Sequence, residues 1–321
     1  MNNHILSPGN ASMRDPSSNM VSEFTIDFDS SVAWIEWFLH NNGIDMQSTW
    51  PITQLLSRRN EAKTLFKKLG SESLENESLS LLCDTISLGF IVKAVFAASS
   101  RGDYEWLLPH LRKCLPVPLF FGNRTLSNTR HNLYWELICA SIFSVFCDNV
   151  RMEAPDFRAR FNTVDWGIAC KVLYSKNRDQ QAKTITDGAK QIEKSSAEYG
   201  VVMVDASHLI KHEEYLSHKL EKPVKHASDL IADLRNTSRA MNIRHVIYHT
   251  VKDPITGGRR DKTRSIFLSA QTISTDREIP VLATAAIPYE FRPVIGPELS
   301  LQNSYFEAMD RVFATEVHGP K

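Results

Sequence analysis

The stretch that most constrains this chain runs from Pro155 to Gln191, PDFRARFNTVDWGIACKVLYSKNRDQQAKTITDGAKQ. Its middle, Val164 to Tyr174, reads as an apolar strand interrupted by one lysine, Lys171. A buried ammonium without a partner is costly. The strand must therefore let Lys171 reach water at a sheet edge or bring it a counter-charge. A short turn at Asn162-Thr163 folds Pro155–Phe161 back as the neighbouring strand, which carries Asp156 toward Lys171. Alternate strand residues share a face, so Ala169 and Lys171 point the same way. The polar segment that follows reads as a helix with Lys190 and Gln191 one turn before its end. A carboxylate beside an ammonium at a sheet edge suits metal and phosphate chemistry.

The rest of the chain divides around this block. Residues 1–22 are rich in Asn, Ser and Pro and read as a disordered tail. From 23 to 125 the apolar spacing is helical with almost no strand signal, which predicts a helical N-terminal domain. Ser31 is the expected N-cap of a helix carrying Trp34, Trp37 and Phe38, an aromatic stripe read as core ahead of a base-stacking platform. Pro51–Leu69 reads as one helix stopped by Gly70. Further helices are expected from the acidic SESLENES run through Ser99 and over Asp103–Cys114. From 126 to 321 helices alternate with strands. GVVMVDAS, HVIYHTV and SIFLSAQTI read as strands, and PVLATAAIPYEF as a further strand or buried segment. Glu213–Leu220, Ala227–Met241 and Ser304–Val317 read as helices. The expected class is α/β, a mixed sheet flanked by helices, preceded by the helical domain.

Charge alone does not favour a nucleic-acid partner, because 37 Lys and Arg balance 37 Asp and Glu. Any such surface must come from local asymmetry. One lies between Arg235 and Arg264, where eight basic residues face two acids. Arg259, Arg260, Lys262 and Arg264 cluster there beside Gly257-Gly258, as phosphate-contacting residues do; a solvated loop is the other reading. The five cysteines include no CxxC pair and read as buried free thiols of a reducing compartment. His208, His212 and His218 lack a zinc-binding order and read as ordinary surface or capping residues. The apolar run Ile86–Ala98 is broken by Lys93 and too short to span a bilayer. The first twenty residues lack a signal-peptide core. A cytoplasmic protein with no membrane partner is expected.

In order and spacing, Pro155-Asp156 followed by Ala169-Cys170-Lys171 resembles the PD-(D/E)xK nuclease superfamily, the restriction-endonuclease-like fold. The likeness runs from about Asn132 to Ser207. It includes Glu136 in the apolar helix LYWELICASIFSVF, where the family often carries another acid, and Gln191 on the helix after the lysine strand. The resemblance implies a metal-dependent nuclease, DNA being the substrate expected, with Mg²⁺ or Mn²⁺ as cofactor. It assigns Asp156, Glu136 and the Cys170 carbonyl to the metal, Lys171 to the attacking water and Gln191 to orientation. It further implies defence against foreign DNA, with a homodimer or a protein partner held through the helical domain. One position departs from the pattern: Ala169 stands where the family has its second acid. Glu136 is the candidate to replace that acid. Asp165 shares the strand face but lies about 13 Å away, four residues at roughly 3.3 Å each. The departure also leaves open a weakened or inactive nuclease-fold protein that binds nucleic acid or serves as an interaction module.

Overall fold

A computed structural model describes residues 13–14, 20–25, 27–68, 76–119, 131–175, 177–209, 262–274, 281–290 and 297–319. Its elements in chain order are β1 (Met13–Arg14), β2 (Met20–Thr25), α1 (Phe28–Asn41), α2 (Pro51–Ser57), α3 (Arg59–Lys68), α4 (Asn76–Ser99), α5 (Leu107–Cys114) and α6 (His131–Phe146). They continue with β3 (Asp148–Arg151), β4 (Phe157–Phe161), β5 (Val164–Val172), α7 (Arg178–Lys194), β6 (Tyr199–Asp205), β7 (Thr263–Ser274), β8 (Val281–Glu290) and α8 (Pro297–Ala314).

The sheet grows outward from the hairpin read in the sequence. Asn162 and Thr163 both take positive φ, 48° and 68°, the conformation of a two-residue turn whose twist matches its strands. That turn pairs β4 with β5 in antiparallel register, Phe157 opposite Ile168 and Phe161 opposite Val164. From β5 the chain crosses through α7 and returns as β6, parallel to β5; β7 lies parallel to β6. The other pairings are antiparallel, and the order among the described strands is β1-β2-β8-β7-β6-β5-β4-β3. The fold is therefore α/β, a mixed sheet flanked by helices.

Strand alternation then sorts β5 between two helical layers. Trp166, Ile168, Cys170 and Val172 face the side of α6 and α8, where Phe143 meets Phe157 edge-on and Tyr305 packs on both Phe143 and Phe267. Gly167, Ala169 and Lys171 face the other side, under α7. Gly200 and Gly188 permit that closeness: an added Cβ would lie 2.4 Å from Ile192 at Gly200 and 3.0 Å from Val202 at Gly188.

Several expectations change here. Within the expected tail, Met13–Arg14 and Met20–Thr25 are strands, and β2 pairs with β8 over Met20–Thr25; an apolar, β-branched run (MVSEFT) can extend a sheet edge whatever its flanks. Asp27, not Ser31, caps α1, because its carboxylate reaches the backbone N–H of Ser30 at 3.1 Å. The single helix expected over Pro51–Leu69 is two, parted at Arg58. The boundary placed at 125 falls outside the described residues. Buried residues of α1–α5 share one apolar core with α6, α8 and a sheet face. Trp34 stacks on Phe38 inside that core, while Trp37 is exposed. The two helices and the strand HVIYHTV expected within 210–261 lie outside the described residues, as do His212, His218, Arg259 and Arg260.

Lys93 sits in the middle of α4, which is otherwise apolar. Over Ser80–Ser99 this helix is long and apolar enough to cross a membrane, a longer run than Ile86–Ala98 implied, yet most of its apolar stretch is buried inside the protein. The lysine is accommodated by the end of α8: its Nζ donates to the carbonyls of Phe313 at 3.0 Å and Thr315 at 2.9 Å. A cation at a helix C-terminus meets carbonyls left over by the helix and the negative end of its dipole.

Candidate active site

The antiparallel ladder between β4 and β5 stops one residue short of Asp156. The backbone N–H of Asp156 still donates to the Ile168 carbonyl, at 3.1 Å. Beyond it β5 runs on alone on that side, and the N–H of Cys170 would lack an acceptor. The Asp156 carboxylate supplies one, with Oδ2 at 2.6 Å from Cys170 N. The same oxygen accepts from Lys171 Nζ at 3.0 Å, and that ammonium also donates to the Cys170 carbonyl at 2.9 Å. Asp156 Oδ1 takes part in none of these contacts. Lys171 therefore does not reach out to solvent; its stem runs beneath Gly188 and its head turns back to the strand end. Pro155 seats the loop by packing on Gly167, where an added Cβ would come within 3.0 Å of the proline ring.

Glu136 arrives from the other layer. Trp135 anchors the first turns of α6 to the sheet by donating from Nε1 to the Met203 carbonyl at 3.0 Å. One turn further, the thiols of Cys139 and Cys170 hydrogen-bond to each other. Burial first, and the Asp156 charge after it, push the Glu136 carboxyl up to about 8 against the pull of Lys171 and Lys113. Two carboxyl groups and one ammonium from α6, the β4 approach and β5 thus act on one another. Burial also raises Asp156 above its ordinary value, against the pull of Lys171 and of the Cys170 N–H.

The remaining expected residues fall elsewhere. Gln191 is exposed on α7, whose sheet-facing residues are Gln181, Ile185, Gly188, Ala189 and Ile192. It is Gln181 that is buried, its amide donating to the Ser175 carbonyl at 2.7 Å. Helical periodicity separates the two glutamines, and only the buried face was available to distinguish them. Lys262 donates from Nζ to Ser195 O at 2.6 Å and so caps the end of α7; Arg264 lies on β7. Asp165 is held at the far end of β5 by an ion pair with Arg158. Ala169 is fully buried, so its place is packed between strand and helix and is no open coordination position.

Two further residues carry no signal in the motif. His110 of α5 is buried, with Nε2 at 2.9 Å from the Leu133 carbonyl and 3.5 Å from Glu136 Oε2. Burial holds it below the ordinary imidazole value, so with Glu136 raised the pair is largely neutral at pH 7 and is no salt bridge there. Its position at the i+3 place after Leu107 was the one legible hint. Asp205, opposite Val172 on β6, is wholly buried and raised to about 7 by that burial; Oδ1 accepts from Ser207 N at 3.0 Å while Oδ2 has no partner among the described residues.

The donors that could face a metal ion here are oxygens. Among the described residues no group of three His, Cys, Asp or Glu side chains is placed to hold a metal, which disfavours a zinc-type cage. Two carboxylates and a backbone carbonyl suit an ion that keeps several waters and completes its shell with substrate phosphate, as Mg²⁺ does. Compared with protein families, curated proteins and solved structures, the chain matches none.

Proposed function

We propose that this protein is a metal-dependent nuclease of the PD-(D/E)xK kind that hydrolyses phosphodiester bonds, with DNA as substrate. The observation that carries the reading is the Asp156–Lys171 hydrogen bond at 3.0 Å, at a strand end where Glu136 feels both charges. Asp156 and Glu136 would hold the ion together with the Cys170 carbonyl. A divalent ion bound there supplies charge to the phosphoryl oxygens and lowers the pKa of a bound water.

The chain's own groups do the rest. An ammonium has three N–H donors; two of those on Lys171 go to Asp156 and Cys170, which fix its direction, and the third serves the attacking water or a non-bridging oxygen. Gly188 lets the lysine stem lie flat under α7, so the head stays at the strand end. Arg259, Arg260 and Arg264 are proposed phosphate contacts. A cytoplasmic role against foreign DNA, and a dimer or a partner bound through the N-terminal helices, belong to the same proposal.

A second reading is favoured by one observation. Buried Ala169 leaves the family's second carboxylate without a place, which suits a nuclease-fold protein that binds nucleic acid and does not cut it. Plasmid and linear DNA incubated with the purified protein in Mg²⁺, Mn²⁺ or EDTA decide between the two. Cleavage that EDTA stops supports the nuclease; retained binding with no cleavage in either metal supports the binding module.

A further inference from the structure

Helix α5 buries Leu107, His110, Leu111 and Cys114, residues three and four apart that share one face. An imidazole in such a row needs hydrogen-bond partners, and His110 finds them on α6. Its Nε2 lies 2.9 Å from the Leu133 carbonyl. A carbonyl only accepts, so Nε2 carries the proton. The same nitrogen is 3.5 Å from Oε2 of Glu136, and Leu133 and Glu136 are one turn apart on α6. The ring nitrogen thus sits in the notch between a first-turn carbonyl and the carboxyl above it. Glu136 also feels the charges of Asp156 and Lys171.

We propose that His110 is a positioning residue for Glu136, holding the carboxyl turned toward Asp156 across the α5–α6 contact. The N-terminal helices then complete the site instead of only adjoining it. The inference rests on the proposed metal site. A glutamate is long and rotamer-rich, and fixing one rotamer costs entropy that a ready-made partner offsets before the ion arrives. Groups that orient a metal-binding carboxylate typically contribute about 10–100-fold in metal affinity.

A packing role for the ring makes a different forecast. Glutamine places its amide nitrogen near the position of Nε2 and keeps an N–H toward Glu136. Asparagine stops near the position of Nδ1, and alanine removes the group. The full-length parent, His110→Ala, His110→Asn and His110→Gln are titrated with Mn²⁺ by calorimetry, and each is melted without metal. Mn²⁺ affinity is expected to fall about tenfold or more in the Ala and Asn variants and to recover most of the loss in the Gln variant, although all three lose thermal stability. If His110→Ala does not fold, the Asn and Gln pair carries the comparison. Parent-like Mn²⁺ affinity in the folded Ala or Asn variant, with only the melting temperature lowered, overturns the positioning role and leaves the metal site standing. No Mn²⁺ binding by the parent removes the metal-site reading and this inference with it.

Discussion

Two lysines interrupt apolar stretches of this chain, and the fold treats them differently. Lys93 in α4 is surrounded by core and gives its protons to the carbonyls of Phe313 and Thr315 at the end of α8. Lys171 in β5 shares its protons between one carbonyl and the Asp156 carboxylate, with Glu136 close enough to feel it. Burial lowers Lys93 to about 8. The first lysine joins two helices through backbone carbonyls at the end of α8. The second stands where two carboxyl groups crowd one strand end. A buried lysine is evidence of a site only when its partners could themselves do chemistry.

The largest effects should separate the two. Lys171→Met and Asp156→Asn are expected to cut DNA cleavage by roughly 10²–10⁴-fold, the range for losing a positioned catalytic group, while circular dichroism stays native. Lys93→Met should leave cleavage at 25 °C untouched. Equal cleavage by Lys171→Met and the parent would return Lys171 to the same structural role as Lys93.

Stability should show the reverse. Lys93→Met strips a buried and a half-buried carbonyl of a charged donor and is expected to cost about 1–3 kcal/mol, read as a lower denaturation midpoint. The pH trend sharpens it. Between about 8 and the ordinary lysine value of 10.5 the unfolded chain holds a proton on Lys93 that the native protein has released. Parent stability therefore gains over that window as pH rises, and below it the burial penalty is present in full. The gain should vanish in Lys93→Met. A parent curve with the same slope as the variant from pH 8 to 10.5 would mean that the ammonium is not desolvated.

Glu136 gives the opposite trend. Its carboxyl ionises near 4.5 in the unfolded chain and at about 8 in the fold, so native protein keeps a proton that the unfolded chain loses. Stability from this group is full below 4.5 and declines as pH climbs toward 8. Glu136→Gln should flatten the metal-free melting profile across that window. It should also remove the proton released on Mn²⁺ binding at pH 7, measured by calorimetry in buffers of different ionisation enthalpy. An unchanged pH profile would place Glu136 in water and away from Asp156.

The smallest effect tests the roof over Lys171. Alanine at Gly188 gains up to about 1 kcal/mol of helix propensity. Its Cβ would stand 3.0 Å from Val202 and 3.3 Å from the Lys171 stem. Gly188→Ala should therefore shift the melting temperature little and slow cleavage severalfold by displacing the ammonium. Parent activity in this variant would show that the lysine head is held by Asp156 and Cys170 alone.

Sequence by itself determined the hairpin, the crossover helix and the meeting of Asp156 with Lys171. Each depends on local chemistry: a turn pair that tolerates positive φ, a period-two apolar run and a few residues of separation. The α/β class followed from the same periodicities. Tertiary structure alone decided the rest. Gln191 and Gln181 lie on one helix with equal local credentials, and only the direction of the sheet says that the second is buried. Residues 1–22 read as a disordered tail because the partner of β2 is β8, more than 250 residues away in the chain. Lys262 reads as a free cation until Ser195 is seen above it. Ala169 looked like a missing ligand, and packing against α7 makes it a filled position. His110 belongs to no motif at all. Its spacing from Leu107 marks only the buried face of α5, and the contact with Glu136 depends on how α5 packs on α6, which the chain's periodicity does not encode.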